Sequence, residues 1–231
     1  MPIFFDDTIV NQRPTHTLKE EESKHVVKVL RLQQGDPIQV INGEGYLFNC
    51  EITQASAKAC ELRILETIFQ EPSQHYIHLA LAPTKNIDRI EWLIEKAVEI
   101  GVQEISFILT KNSERKQIKL ERLEKIMVSA MKQSKQLHAT KLNEIVPFEA
   151  FIQEHPNGFI AHCLPTEKNT LTTEFSSKKP IIIGPEGDFN EHEIQQALQL
   201  GYTPITLGES RLRTETAALY AVIEANLTLR K

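Results

Sequence analysis

Cysteine is scarce in this chain, and the three present, Cys50, Cys60 and Cys163, show no CxxC spacing. An odd count without that spacing argues against a disulfide framework or a cysteine zinc site. It fits a reducing compartment, so a cytoplasmic location is expected. Long apolar runs are lacking as well, and nothing approaches the roughly 20 residues a membrane-spanning helix needs. The first stretch, MPIFFDDTIVNQRP, has no basic segment followed by an apolar one, so no secretory leader is expected. Several chemical signatures are missing too. No GxGxxG follows a strand, which removes the dinucleotide fingerprint, and no GxxxxGK[ST] forms a phosphate loop. GxSxG is absent, and with it the usual hydrolase nucleophile turn. His192-Glu193 does not extend to HExxH, and the eight histidines lack metal-ligand spacing, so no metal is expected.

What is present is an ordinary globular composition. The 231 residues are 41% hydrophobic and 25% charged, enough to bury one large or two modest cores. The net charge of −5 argues at first sight against a nucleic-acid partner. Its distribution argues the other way. Between positions 111 and 141 nine lysines and arginines face three glutamates, a local excess of six that leaves the rest at −11. Salt screens distant charges within about 8–10 Å, so such a zone attracts phosphates even on an acidic protein. A solvated helix face is the plain alternative.

Two rhythms divide the chain. Over residues 1–70 the pattern is strand-like: 36–41 (DPIQVI) and 46–52 (YLFNCEI) flank the hairpin-prone Asn42-Gly43-Glu44-Gly45, and 57–68 continues the alternation. One helix over 20–30 interrupts it. A small β-barrel-like domain is expected, with His25, Lys28 and Arg31 as its basic helix end. From 71 to 231 strands at 76–82, 104–109, 158–163, 180–183 and 204–207 alternate with helices at 88–100, 120–135, 191–200 and 214–229. The class is α/β, with a mostly parallel sheet covered on both faces.

Ligands of such sheets bind beyond the carboxyl ends of the strands, at a switch in strand order. Two strand ends here are unusual. Ile183 runs into Gly184-Pro185-Glu186-Gly187-Asp188-Phe189-Asn190, where the glycines predict close ligand approach and positive φ. Asn190 with Glu193 predicts a capped helix start. Leu207-Gly208-Glu209-Ser210-Arg211-Leu212-Arg213-Thr214-Glu215-Thr216-Ala217 sets two arginines before an Ala-rich helix that Thr214 or Ser210 would cap. An Arg213–Glu215 pair is the plain reading of that second segment. Two such loops near the end of the chain predict one shared pocket, though not its ligand.

These segments resemble the bacterial RsmE family, along nearly the whole chain: HVVKVLR at 25–31 with Gly35, KNIDRIEWLIEKAVEIG at 85–101, Gln133-Ser134, IGPEGDF at 183–189 and LGESRLRTETA at 207–217. The resemblance implies methylation of N3 of a uridine in 16S ribosomal RNA of the small subunit, with S-adenosylmethionine as cofactor. It also implies a SPOUT-type trefoil-knotted domain, a PUA-like N-terminal domain and a homodimer. Carried over by position, it sets the cofactor against His162, Cys163, Leu164, Ile183, Gly184, Pro185, Glu186, Gly187, Leu207, Gly208, Leu212, Arg213, Thr214 and Ala217. Arg211, Arg213, Thr214 and Glu215 are the candidate catalytic edge, with Glu215 as a base or, preferably, as the residue orienting an arginine. RNA contacts are expected from His25, Lys28, Arg31, Lys85, Arg89, Lys111, Arg115 and Lys116. The chain departs from the family at Asp188, which replaces a usual second glycine, and at Asn112, which replaces a frequent arginine. No basic residue stands in Met1-Pro2-Ile3-Phe4-Phe5, and Lys135-Gln136 replaces a usual Gly-Arg. Two other readings remain open: a knotted methyltransferase for another RNA, and a non-catalytic RNA-binding or ribosome-assembly protein.

Overall fold

The computed structural model describes residues 1–171, 175 and 178–230. They form two compact units, the smaller from Met1–Ser73 with Met131–Ala139, the larger from Gln74–Ala130 and the chain from Thr140 onward.

The smaller unit holds β1 (Ile3–Phe5), β2 (Thr15–Thr17), β3 (Pro37–Ile41), β4 (Tyr46–Gln54) and β5 (Glu61–Phe69), ordered β1-β3-β4-β5-β2. The last three of these in chain order pair antiparallel as a meander, while β1 joins β3 in parallel. Alternation along β4 buries Phe48, Cys50 and Ile52 on one face, against Phe4, Val26 and Leu62. At the edge of that core Asp6 is fully buried. Burial alone would raise its pKa, but His16 at 3.2 Å, Thr8 and the Lys19 amide at 3.0 Å hold the carboxyl far below its ordinary value. The expected single helix over 20–30 divides instead into α1 (Glu20–Lys24) and a π-helical turn, His25–Val29. The wider turn is closed by the Leu30 amide on the His25 carbonyl at 3.0 Å, and Arg31 follows with a left-handed φ of 56°. It keeps Val26 in the core and turns Val29 and Leu30 outward.

The larger unit runs β6 (His78–Leu81), α2 (Ile87–Ile100), β7 (Glu104–Leu109), α3 (Leu120–Ser134, whose residues from Met131 count with the smaller unit), β8 (Lys141–Pro147), α4 (Phe148–Glu154), β9 (Phe159–Ala161), β10 (Asn169–Thr170), β11 (Pro180–Ile183), α5 (Glu191–Gln199), β12 (Thr203–Thr206) and α6 (Thr214–Leu229). Its seven strands are ordered β10-β12-β9-β11-β6-β7-β8, and every pairing is parallel. Helices on the faces explain why HLAL and PIII are buried at every position rather than at alternate ones. In α2 the burial of Ile90, Leu93, Ile94, Ala97 and Val98 follows the helical period, the Asn86 side chain caps the start and Gly101, at φ 99°, ends it. Asn226 of α6 donates to the Ile100 carbonyl at 2.9 Å, tying the last helix to the end of α2. From β6 to β8 the chain builds the sheet in one direction. It then crosses to start again at β9, and β11 enters between β6 and β9. That reversal is a topological switch point, and the carboxyl ends of β9, β11 and β12 lie beside it.

At the opposite end of the same sheet the first residues of three strands form a closed polar network. His78 Nε2 meets Ser106 Oγ at 2.8 Å, while Glu104 accepts from Tyr76, Lys141 and Asn143 at 2.7–2.9 Å. Burial lowers His78 to about 4 despite the Glu104 charge. Burial would raise Glu104, but the Lys141, Tyr76 and Asn143 donors outweigh it and hold the carboxyl at about 2.

Candidate functional site

Three strand-end loops and the start of α6 enclose a cavity of about 660 Å³. After β9 come Ala161, His162 and Cys163; after β11, Gly184, Pro185, Glu186 and Asp188; after β12, Leu207 to Ser210, leading through Arg211, Leu212 and Arg213 to Thr214 and Ala217. Its volume falls within the roughly 300–1,000 Å³ typical of small-molecule sites. Ile183, Leu207, Leu212 and Ala217 give it an apolar wall, and Lys168, Arg211 and Arg213 face Glu186, Asp188 and Glu209 in charge.

The turn after β11 is held from four sides. Thr214 Oγ1, buried, donates to the Gly184 carbonyl at 3.2 Å. The Lys85 amide donates to Glu186 Oε1 at 3.1 Å. Asn112 Nδ2 donates to the carbonyls of Gly187 and Asp188, at 3.1 and 3.0 Å. Asp188 Oδ2 accepts from the Cys163 amide at 2.8 Å, and its other oxygen from the Phe189 amide at 2.8 Å. Beyond the turn Asn190 and Glu193 form a full capping box, and the nearly buried Glu193 also accepts from the Lys111 amide at 2.8 Å. Such cross-linking sets the backbone groups of the turn in place before any ligand arrives.

Neither Gly184 nor Gly187 has a positive φ; the left-handed residue is Asp188, at 59°. The expectation of positive φ at those glycines is therefore corrected, and close packing is their physical reason. A Cβ on Gly184 would come within 3.0 Å of the Phe189 ring, and one on Gly187 within 3.2 Å of Asn112 Cβ. A second correction concerns α6. Its N-cap is Arg213, with no side-chain capping bond, and neither Ser210 nor Thr214 caps it. The Arg213–Glu215 pair does not form either. Glu215 Oε1 lies 3.6 Å from Arg89 Nε, and its Oε2 is buried without a hydrogen-bond partner.

Of the residues singled out from sequence, His162, Cys163, Ile183, Gly184, Pro185, Glu186, Leu207, Gly208, Arg211, Leu212, Arg213, Thr214 and Ala217 all line the cavity. Leu164, Gly187 and Glu215 are not in its wall: Leu164 packs on the core and Gly187 lies under Asn112. Ala161, Lys168, Asp188, Ile205, Thr206 and the Glu209-Ser210 pair complete it. Asp188 carried a signal in the sequence, as a carboxylate in a glycine turn; Lys168 carried none. His162 is about nine-tenths buried, its Nδ1 has no partner, and burial followed by the Lys168 charge lowers its pKa against Asp188. A neutral imidazole with an unsatisfied nitrogen at a cavity wall is a group waiting for a hydrogen bond.

The cationic residues fall into separate sets. Lys85, Arg115 and Lys116 border a shallow second hollow with Glu114 and Gln117. Lys85 pairs with Glu114 at 2.8 Å, and Arg115 Nε donates to the Thr84 carbonyl at 3.0 Å, so that guanidinium also braces the loop. Lys111 is exposed, and Arg89 is committed to Glu215. His25, Lys28 and Arg31 lie on and after the π-helical turn of the smaller unit.

Comparison with known proteins assigns the class. Residues 71–225 match a family model described as an RNA methyltransferase domain, and residues 18–65 match one described as an RNA methyltransferase PUA domain. The ribosomal RNA small subunit methyltransferase E of Buchnera aphidicola is 31% identical over 229 residues, which cover 94% of this chain and 88% of that one. A probable rRNA-methyltransferase from Porphyromonas gingivalis superposes with a TM-score of 0.87 at 38% identity, over 96% of each chain. The ribosomal RNA small subunit methyltransferase E of Neisseria gonorrhoeae, solved bound to S-adenosyl methionine, gives 0.85 at 26% identity, over 96% of this chain and 95% of that one. The chain belongs to the ribosomal RNA small subunit methyltransferase E family. Among the described residues, no helix is long and apolar enough to cross a membrane.

Proposed function

We propose that this protein methylates N3 of a uridine in the 16S ribosomal RNA of the small subunit, with S-adenosylmethionine bound in the cavity at the switch point. The observation that carries the reading is the meeting of the segments 183–189 and 207–217 around one cavity with a buried, unpartnered His162 nitrogen. The residues fit that cofactor. Leu207 and Leu212 suit an adenine face, strand-end backbone groups suit its edge and the ribose, and His162 Nδ1 has a free hydrogen-bonding position.

When bound, the cofactor supplies a methyl group already activated by its sulfonium, so neither a metal nor a covalent nucleophile is required. The chain's part is alignment and charge. Positioning contributes up to about 7–11 kcal/mol to reactions of this kind in favourable cases. Arg211 and Arg213, exposed at the cavity edge, stabilise the negative charge that develops as the imide loses its proton to solvent water. Glu215 acts by orienting an arginine, and the arginine within its reach is Arg89. Lys111, Lys116 and the His25, Lys28 and Arg31 group take RNA phosphates, and Lys85 and Arg115 contribute as their pairing allows.

The entry of β11 between two earlier strands supports a threaded, trefoil-knotted C-terminal chain. Trp92 on α2 and Tyr220, Ile223 and Leu227 on α6 leave large apolar side chains exposed, which supports a homodimer through those helices. The same reading makes the protein cytoplasmic. The test is methyl transfer from labelled S-adenosylmethionine to small subunits that lack their own uridine-N3 methylation, with nucleoside analysis. The expected product is 3-methyluridine. Label on another nucleoside would move the assignment to another RNA methylation. No label together with no cofactor binding would make the protein a non-catalytic RNA binder.

A further inference from the structure

Asn112 and Asp188 sit in different loops, and each is held by the other's surroundings. At the end of β7 the chain closes a tight turn: the Thr110 amide donates to Ser113 Oγ at 3.0 Å and the Ser113 amide donates back to the Thr110 carbonyl at 3.2 Å. Ser113 is buried, so the turn is anchored and Asn112 projects from it. Its side-chain amide donates to two successive carbonyls, those of Gly187 and Asp188. The bare Gly187 lets it approach this closely, since any Cβ there would stand 3.2 Å from Asn112 Cβ.

Asp188 occupies the left-handed backbone region that L-residues enter at a cost, although aspartate tolerates it better than most. The two Asn112 bonds grip the carbonyls on either side of that residue. Held there, the carboxylate reaches across the cavity rim to the Cys163 amide. It thereby joins the β9 loop, which carries His162, to the β11 turn that carries Gly184 and Pro185. Two of the three loops around the cofactor cavity are thus joined by one side chain, whose own backbone is held by the loop after β7.

We propose that Asn112 and Asp188 are a coupled pair of positioning residues that set the spacing of the His162 loop and the Gly184–Gly187 turn for the cofactor. The inference rests on the cofactor reading of that cavity. Asn112 acts through the Gly187 and Asp188 carbonyls that flank the Asp188 side chain, and Asp188 acts by fixing the loop rather than by touching the reacting atoms.

The test is calorimetric binding of S-adenosylhomocysteine to the full chain, with methylation kinetics and apo-protein melting, for Asn112→Ala, Asp188→Gly and the double variant. Asn112→Ala is expected to weaken cofactor binding about three- to tenfold, the scale of one or two hydrogen bonds. KM for the methyl donor rises by the same factor and kcat stays within about twofold, the pattern of lost binding rather than lost chemistry. Asp188→Gly weakens binding similarly while the apo protein melts no lower, because glycine relieves the left-handed backbone. In the double variant the losses fall short of the product of the two, since both act through one link. Wild-type affinity in both single variants overturns the proposal, as do losses in the double variant that multiply fully. Lower kcat at unchanged KM overturns it as well, and points to chemistry instead. A wild-type chain that binds no cofactor is a different result, and removes the reading of the cavity itself.

Discussion

The two ends of the parallel sheet use buried polar groups in opposite ways. At the amino ends of β6, β7 and β8, Glu104 is surrounded by Tyr76, Lys141 and Asn143, and His78 by Ser106. At the carboxyl ends of β9, β11 and β12 a buried imidazole nitrogen lacks a partner and two arginines stand exposed over a cavity. A satisfied polar network adds specificity and stability to a fold, whereas an unsatisfied one is tolerated where a ligand completes it. The contrast separates the residues that keep the sheet folded from those proposed to bind the cofactor. Substitutions at one end should therefore leave the other end's property alone.

The largest expected effect lies at the open end. Arg213→Ala should lower turnover by about 10²–10³-fold, the loss typical of removing a preorganised donor from developing charge. Its melting temperature should stay within error, because the residue is exposed and makes no side-chain cap for α6. Filter binding should show RNA retained. Unchanged methylation would remove Arg213 from the mechanism.

Next comes the closed end. Glu104→Ala should destabilise the larger unit by about 3 kcal/mol, since it leaves the Lys141 ammonium and the Tyr76 and Asn143 donors without their acceptor. Thermal unfolding measures that loss, and cofactor affinity at a temperature where the variant is folded should match wild type. A matching loss of affinity would show that the two ends are coupled through the strands.

The two ends were also unequally legible in the sequence. The strand at 104–109 and that at 180–183 were readable to the residue, because runs dominated by apolar residues, interrupted in the first only by Glu104 and Ser106, are what burial on both faces demands. The helix at 214–229 was readable too. By contrast, β8 is an edge strand, half-exposed along its length and ending in Pro147, and it shows neither a continuous run nor alternation. The two-residue β10 has no periodicity to detect. Within the site, the cavity residues of the 183–189 and 207–217 segments announced themselves as glycine-rich and arginine-rich strand ends, whereas His162 and Cys163 came only through the family resemblance and Lys168 not at all. What escaped was the support beneath them. Neither Asn112 gripping a turn some seventy-five residues away nor Arg89 receiving Glu215 leaves a trace in local pattern, because both are made by the order of strands in the sheet.

Acid should expose the closed end without substitution. His78 ionises at about 4 in the folded chain, below its ordinary 6.5, because burial disfavours its charged form. The unfolded chain therefore takes up a proton first, and stability is lost as the pH falls from about 6.5 towards 4, by up to about 3 kcal/mol. Glu104, held at about 2, adds a further loss below its ordinary 4.5. Melting temperatures measured from pH 7 to pH 4.5 should fall, and His78→Gln should flatten the upper part of that fall. A flat wild-type profile over this range would mean that His78 is protonated in the folded chain, in an ion pair with Glu104.

The smallest effect sits where the two properties meet. Thr214 is the first residue of α6, lines the cavity, and donates from a buried hydroxyl to the Gly184 carbonyl. Thr214→Val keeps the shape and removes the donor, so the carbonyl loses this partner at a cost of about 1 kcal/mol. Because that carbonyl belongs to a turn of the cavity proposed for the cofactor, affinity should also fall by about threefold, in calorimetry against S-adenosylhomocysteine. Thr214→Ser keeps the donor and loses only a methyl, so it should restore most of the affinity. Equal losses in both variants would assign the contribution to packing of the methyl against the turn. A loss of stability in Thr214→Val with no loss of affinity would place this hydrogen bond with the closed end's chemistry, although it lies at the open one.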